Sequence, residues 1–260
     1  MGAINLKHMK TKILYEDAHL LVIHKPAGIA VQSARVGQMD VESELRNYIA
    51  AAARKNSAQG NANPYIGLVH RLDQPVEGLL VVAKTKDAAA KLNKQLAAGS
   101  LNKKYLAVVC MGDLEDASAE MSGDFIDYMI KDGQVVRIME GCNKITTKTS
   151  GTKSTATEIP KQARLHYTIL QKSDNLALAD IEIETGRFHQ IRCQMAHHGM
   201  PLLGDAKYGS SASVALSQSL GIRNVALCAN RIVFKHPFNG KFMEFEVQPT
   251  NSAFLKFSKK

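Results

Sequence analysis

Residues 164–183, RLHYTILQKSDNLALADIEI, decide the fold class. Arg164 to Leu170 and Leu176 to Ile183 alternate apolar and polar residues with the period of two that a strand imposes. Ser173-Asp174-Asn175 between them has turn chemistry, so the stretch reads as an antiparallel hairpin. The same signal recurs on either side. Phe125 to Met139 contains Asp132-Gly133, and Ala226 to Lys235 and Phe242 to Val247 flank Asn239-Gly240; both dipeptides favour hairpin turns. Further strands are expected at Ile13–Asp17, Leu20–His24, Leu79–Ala83 and Tyr105–Cys110, with Lys25-Pro26-Ala27-Gly28 ending the second of these. Helices are fewer. Asp40 caps one that runs through Arg54, with Val41, Leu45, Tyr48, Ile49 and Ala52 on one face. A second runs from Lys86 to Ala98 and stops at Gly99, a third runs from Phe188 to His198 with Gly199 past its end, and the tail NSAFLKFSKK reads as a short basic helix. Hairpin strands outnumbering helices predict an α+β fold with a mixed, largely antiparallel sheet.

The chain has 260 residues, 45% hydrophobic and 22% charged, which excludes wholesale disorder and collagen-like repeats. No apolar run approaches the roughly 20 residues that span a bilayer, so no membrane association is expected. The N-terminus, MGAINLKHMKTK, has no apolar core of a secretory signal. Cysteines 110, 142, 193 and 228 form no C-x-x-C pair, so free thiols in a reducing cytoplasm are the expectation rather than a disulfide framework or zinc ribbon. No repeat and no composition break marks a linker. One domain is expected from about residue 13 to 260, after a flexible arm over 1–12. Residues 143–158, rich in Thr, Ser and Lys, read as a long mobile loop or irregular edge hairpin. The net charge of +9 points to a polyanionic partner.

Two stretches concentrate reactive side chains. In VHRLDQPVEGLL at 69–80, a charged cluster precedes an apolar strand, with Pro75 and Gly78 shaping a tight loop at its entry. Asp73 there is a candidate nucleophile or base, although sequence physics alone favours a turn Asp and a surface Arg71 in a weak ion pair. In ETGRFHQIR at 184–192, a strand ends and a helix begins, and helix N-termini attract anions. Arg187, His189 and Arg192 add donors to that end and make it a candidate phosphate contact. His189, His197 and His198 lack metal-ligand spacing, and the adjacent pair points to different sides of a helix, so no metal site is expected. Tyr105, after Lys103-Lys104, is a candidate base-stacking ring.

Together these segments resemble the RluA-type pseudouridine synthases. The resemblance rests on HRLDQPVEGLLVVAKT at 70–85, KKYLAVV at 103–109 and ETGRFHQIRCQMAHHGMPLLGDAKYG at 184–209. YEDAHLLVIHKPAG at 15–28 and LCANRIVFKHP at 227–237 support it. The pieces occur in the family order and span nearly the whole chain. The resemblance implies the pseudouridine synthase fold, with flanking helices and a central catalytic cleft, and an enzyme that isomerises uridine in ribosomal or transfer RNA without metal or organic cofactor. It implies that Asp73 is the catalytic aspartate, that Tyr105 packs on the target base and that Arg192 pairs with the aspartate. Arg71 would enter the RNA stack when the uridine flips out. His70, Arg187 and His189 are expected to contact RNA as well. A cytoplasmic monomer lacking the S4 RNA-binding domain of some relatives completes the expectation.

Two positions depart from the family pattern. Val76-Glu77 stands where Thr-Ser is common, placing a negative charge near Asp73 with an expected effect on loop or RNA contacts. Cys228 stands where His is common. The Val76-Glu77 departure alone favours an RNA-binding protein without catalysis, against which Asp73, Tyr105 and Arg192 weigh. A metal-dependent hydrolase using His189, His197 and His198 is the third reading.

Overall fold

A computed structural model describes residues 9–33, 37–56, 64–111, 121–140 and 159–257. In chain order its elements are β1 (Lys12–Glu16), β2 (Leu20–Lys25), α1 (Val41–Asn56), β3 (Gly67–Leu68), β4 (Glu77–Ala83), α2 (Lys86–Ala97), β5 (Asn102–Cys110), β6 (Ser122–Asp132), β7 (Val135–Ile138), β8 (Lys161–Ser173), β9 (Leu176–Ile183), α3 (Gln190–His197), α4 (Ser211–Ser219), β10 (Leu227–Lys235), β11 (Phe242–Glu246) and a 3-10 helix at Ser252–Phe257. The chain divides into two compact units, Met1–Leu106 with Leu227–Phe254, and Ala107–Ala226 with Leu255–Lys260. The mixed sheet with few helices is the expected α+β class. The expected loop at 143–158 and Cys142 lie outside the described residues.

In the first unit the strands run in the order β1-β2-β4-β10, with β3 beside β4 and β11 beside β10. All pairs are antiparallel except β4 and β10, which run parallel with Cys228 opposite Glu77 and Ala229 opposite Gly78. Every residue of β4 is buried, which its apolar sequence GLLVVA permits. Leu20, Val22, Leu79 and Val81 pack with Ala88 and Leu92 of α2 and with Ile232 and Phe234 of β10. Polar groups set the helix starts. Asp40 accepts the Ser43 N–H at 2.8 Å and Thr85 accepts the Ala88 N–H at 3.2 Å. At the close crossing of β4 and β10, Gly78 has φ +133°, and a Cβ there would stand 2.4 Å from the Ala229 nitrogen. Only glycine fits. Of the expected N-terminal arm, Thr11 is buried, with its N–H and hydroxyl donated to Glu44.

In the second unit β9-β8-β6-β7 form an antiparallel run. The hairpin that opened the sequence argument is β8–β9, with Leu165 opposite Ile183 and Asp174 at φ 52° in its turn. Leu165, Tyr167 and Ile169 are buried, while Arg164 and His166 on either side of Leu165 are exposed. Helix α3 begins at Gln190, two residues later than the spacing predicts, because His189 adopts left-handed φ 53°, ψ 24°. Helix α4 was not visible in the sequence pattern: SASVALSQS carries small and polar residues and buries only Ser213 and Ser217. Among the described residues, no helix is long and apolar enough to cross a membrane.

Candidate active site

Asp73 sits in the loop between β3 and β4. A Val76 N–H donated to the Asp73 carbonyl at 3.1 Å closes the turn. The turn is clamped from the side by the segment that follows β2. The Gly28 N–H donates to the Gln74 carbonyl at 2.8 Å, and the Gln74 amide returns a bond to the Gly28 carbonyl at 3.1 Å. Lys25 completes the clamp. It is fully buried, and its ammonium donates to the carbonyls of Pro26, Ile29 and Gln74 at 3.0, 2.8 and 3.2 Å. Three protons meet three acceptors, which is what a buried ammonium requires. Burial nonetheless pulls its pKa down to about 8, against the opposing charges of Asp73 and Glu77.

Tyr105, on β5 of the same unit, is 5% exposed. Burial first, and then the negative charge of Asp73, raise its phenol far above the ordinary value. The phenol is therefore a neutral ring felt by the carboxylate. Asp73 and Tyr105 both belong to the first unit, and Arg192 to the second. Arg71 is exposed on the loop. His70, grouped above with the RNA-contacting residues, is instead buried, and its Nε2 accepts the Val81 N–H at 3.3 Å. Burial and the nearby Lys103 push its pKa well down. A neutral imidazole here extends the short β3–β4 ladder and supports the loop from inside.

Glu77 does not face solvent either. It is 1% exposed, and its carboxylate accepts the N–H groups of Thr250 and Asn251 at 3.0 and 2.9 Å, together with the Thr250 hydroxyl. Burial pushes its pKa up, but bonds from His24, Thr250 and Asn251 outweigh this and hold it low. The extra negative charge read from the sequence is consumed in tying residues 250–251 to the start of β4. An effect on RNA contacts through exposure of that charge is ruled out by its burial. Cys228, the second departure, is Glu77's register partner on β10.

Arg192 belongs to the second unit. Its Nε and Nη2 donate to the two carboxylate oxygens of Asp205 at 2.7 and 2.8 Å, and the residues are 4% and 2% exposed. Asp205 also accepts the N–H groups of Lys207 and Tyr208 at 3.0 and 3.2 Å. The guanidinium lies 5.2 Å from the Tyr208 ring centroid. The Tyr208 hydroxyl accepts the Val136 N–H at 2.9 Å and shares a 2.8 Å bond with His189 Nδ1. One connected network therefore orients Arg192 and holds His189 in its left-handed conformation, which costs a non-glycine residue on the order of 1–2 kcal/mol. Arg187 is exposed, its Nε donated to the Gln162 carbonyl at 3.0 Å. Asp205, Tyr208 and Lys25 were missed as functional supports. Their signal was a charged or phenolic residue inside an otherwise apolar or glycine-bounded stretch.

Among the described residues, two groups bring three potential metal donors within 4.8 Å: His24, Glu77 and Cys228; and Asp127, His197 and His198. In the first, the carboxylate is already engaged by Thr250 and Asn251. In the second, His198 is bonded to Asp127 at 3.1 Å and stacked on Phe125 at 3.8 Å. His189, the remaining member of the hydrolase reading, is not part of either group.

Comparison with known proteins follows the same residues. The model of a family described as RNA pseudouridylate synthase matches residues 19–197. The chain belongs to this family. It is an RNA pseudouridine synthase, and so an isomerase. The ribosomal large subunit pseudouridine synthase D of Zymomonas mobilis is 35% identical over 95% of the chain and 71% of its own length. Its Pseudomonas aeruginosa counterpart is 34% identical over 95% of the chain and 70% of its own length. The Nitrosomonas europaea counterpart is matched over only 61% of its length. Human RNA pseudouridylate synthase domain containing 4 shares the fold with TM-score 0.67 at 23% identity, covering 92% of this chain and 89% of that one.

Proposed function

We propose that this RNA pseudouridine synthase isomerises uridine in large-subunit ribosomal RNA, with Asp73 as its catalytic aspartate. The observation that carries the reading is a half-buried Asp73 on a loop clamped by Lys25 and Gly28, with the buried Tyr105 of β5 kept un-ionised by burial and by the charge of Asp73. The relatives' names favour ribosomal over transfer RNA. The reaction breaks the N1–C1′ bond, turns the uracil, joins C5 to C1′ and releases the C5 proton. A base inside a helix is out of reach, so the nucleotide flips, at a cost of a few kcal/mol. Arg71, exposed on the Asp73 loop, fills the gap in the stack. Tyr105 supplies the ring against which the flipped uracil packs, and its un-ionised phenol adds no charge to oppose the Asp73 carboxylate. Arg192, held by Asp205, is the arginine that the resemblance assigns to the reaction. Arg187 and His189 contact phosphate at the entry to α3. The enzyme acts as a monomer in the cytoplasm.

Commitment of Glu77 to Thr250 and Asn251 removes the feature that favoured a non-catalytic RNA-binding protein. The experiment is tritium release from an unmodified large-subunit ribosomal RNA transcript carrying uridine tritiated at C5. Asp73→Asn is expected to lower release by about three orders of magnitude or more while retaining RNA affinity. Wild-type release from this transcript no faster than background, or full activity in the variant, refutes the reading.

A further inference from the structure

The loop between β9 and α3 carries a ring that the reaction above does not use. Phe188 is 42% exposed, between exposed Arg187 and half-buried His189. Its ring stacks on the His189 imidazole with centroids 3.7 Å apart and planes 23° from parallel. The imidazole is fixed in turn by Tyr208, through the shared hydrogen bond and an edge-on contact at 5.5 Å. The flanking backbone is fixed too: the Gln190 side chain accepts the Arg187 N–H at 3.0 Å and the Thr185 hydroxyl at 2.8 Å. Lys131 Nζ stands 5.5 Å from the Phe188 centroid, and the Arg187 guanidinium is anchored nearby on β8.

An exposed aromatic ring normally loses surface exposure by repacking; this one is propped open by a strained residue and a half-buried tyrosine. We propose that Phe188 is a stacking platform for an unpaired nucleobase of the RNA substrate, distinct from the uridine being isomerised, with Lys131 receiving a flanking phosphate. The chemistry fits that occupant. A π-face accepts any base without demanding a sequence, and adjacent cations meet the backbone that necessarily accompanies it. The rigid backing means that little conformational freedom is lost on binding. An apolar protein partner would gain nothing from Lys131 and Arg187 at the rim, and the chain's net charge of +9 favours a polyanion.

This rests on the reading of the protein as an RNA-modifying enzyme, and the test separates the two. The unmodified large-subunit ribosomal RNA transcript is the probe, with dissociation constants from filter binding and thermal midpoints for each variant. Phe188→Ala is expected to weaken binding about tenfold with an unchanged midpoint. Phe188→Tyr, which keeps the π-face, should stay within about twofold of wild type, and Phe188→Leu, apolar but not aromatic, should be as weak as alanine. Lys131→Ala should reduce the salt dependence of binding by about one phosphate contact. Wild-type affinity in Phe188→Ala, or in Phe188→Leu, in an enzyme that releases tritium overturns the platform alone. Failure of the wild type to bind or isomerise the transcript overturns both the platform and the reading beneath it.

Discussion

Asp205→Asn isolates the support of Arg192. The native carboxylate takes two charge-assisted bonds from the guanidinium, at 2.7 and 2.8 Å, in a setting only 2–4% exposed. It also holds two backbone N–H groups through Oδ1. An asparagine oxygen can keep those N–H bonds, but its NH2 then faces a guanidinium nitrogen, donor against donor. The cation is left buried without its counter-charge, and breaking a buried pair in this way costs about 3–5 kcal/mol. Arg192→Met strands the carboxylate instead, partly compensated by Lys207 and Tyr208, and is expected to cost somewhat less. The double variant has neither buried charge. Its loss should fall short of the sum of the singles by about 2 kcal/mol, the signature of a coupled pair. Urea unfolding at pH 7 followed by circular dichroism supplies the three differences, and tritium release is measured alongside. The reasoning predicts that the double variant recovers stability but not turnover, since Arg192 is assigned to the reaction and Asp205 only to positioning it. Additive losses would refute the pair as an energetic unit, and a turning-over double variant would refute the role of Arg192.

Two further predictions concern the first unit. Glu77→Ala leaves the Thr250 and Asn251 N–H groups without their acceptor and should cost about 3 kcal/mol, read as a lower urea midpoint and faster amide exchange at residues 250–251. Asp17 is pushed up by burial but held at about 2 by the N–H groups of His19 and Leu20 and by His236. Because the folded value lies below the ordinary 3.8, the stability is present in full above about pH 4 and is lost as pH falls through about 2. The difference is worth at most about 2 kcal/mol, so the gap in urea stability between wild type and Asp17→Asn should close over that window.

What the sequence disclosed was whatever is enforced locally. Asp132-Gly133 and Asn239-Gly240 announced their hairpins because φ of +59° and +69° at the two glycines is a local demand. Asp40 announced its helix because a cap bonds three residues away. The start of α3 was misplaced because nothing in Phe188-His189 signals a left-handed histidine; Tyr208, nineteen residues on, enforces it. Glu77 shows the same limit at longer range. Read beside Asp73 it is an extra charge; its partners, 173 and 174 residues away, make it a structural anchor. Asp73, Tyr105 and Arg192 were legible as a recurring pattern, not as physics, because turn aspartates and sheet tyrosines are common. Lys25 and Asp205 lay inside the quoted segments but drew no role there, since it is burial that distinguishes them from surface charges.

That contrast separates two populations of charge. Lys25, Glu77, Asp205 and Arg192 are each at most 4% exposed, and each is matched by opposite charge or by hydrogen bonds on the spot. The Arg192–Asp205 pair carries no net charge and adds almost nothing to the field outside the protein, whereas Lys25 and Glu77 keep their charge and are satisfied by local hydrogen bonds; salt barely screens any of the four. They fix geometry. Arg71, Arg187 and Lys131 are exposed, so their field reaches into solvent and weakens as ions are added. On the proposed assignment, attraction of the nucleic acid and alignment of the reacting groups fall to different residues under different screening.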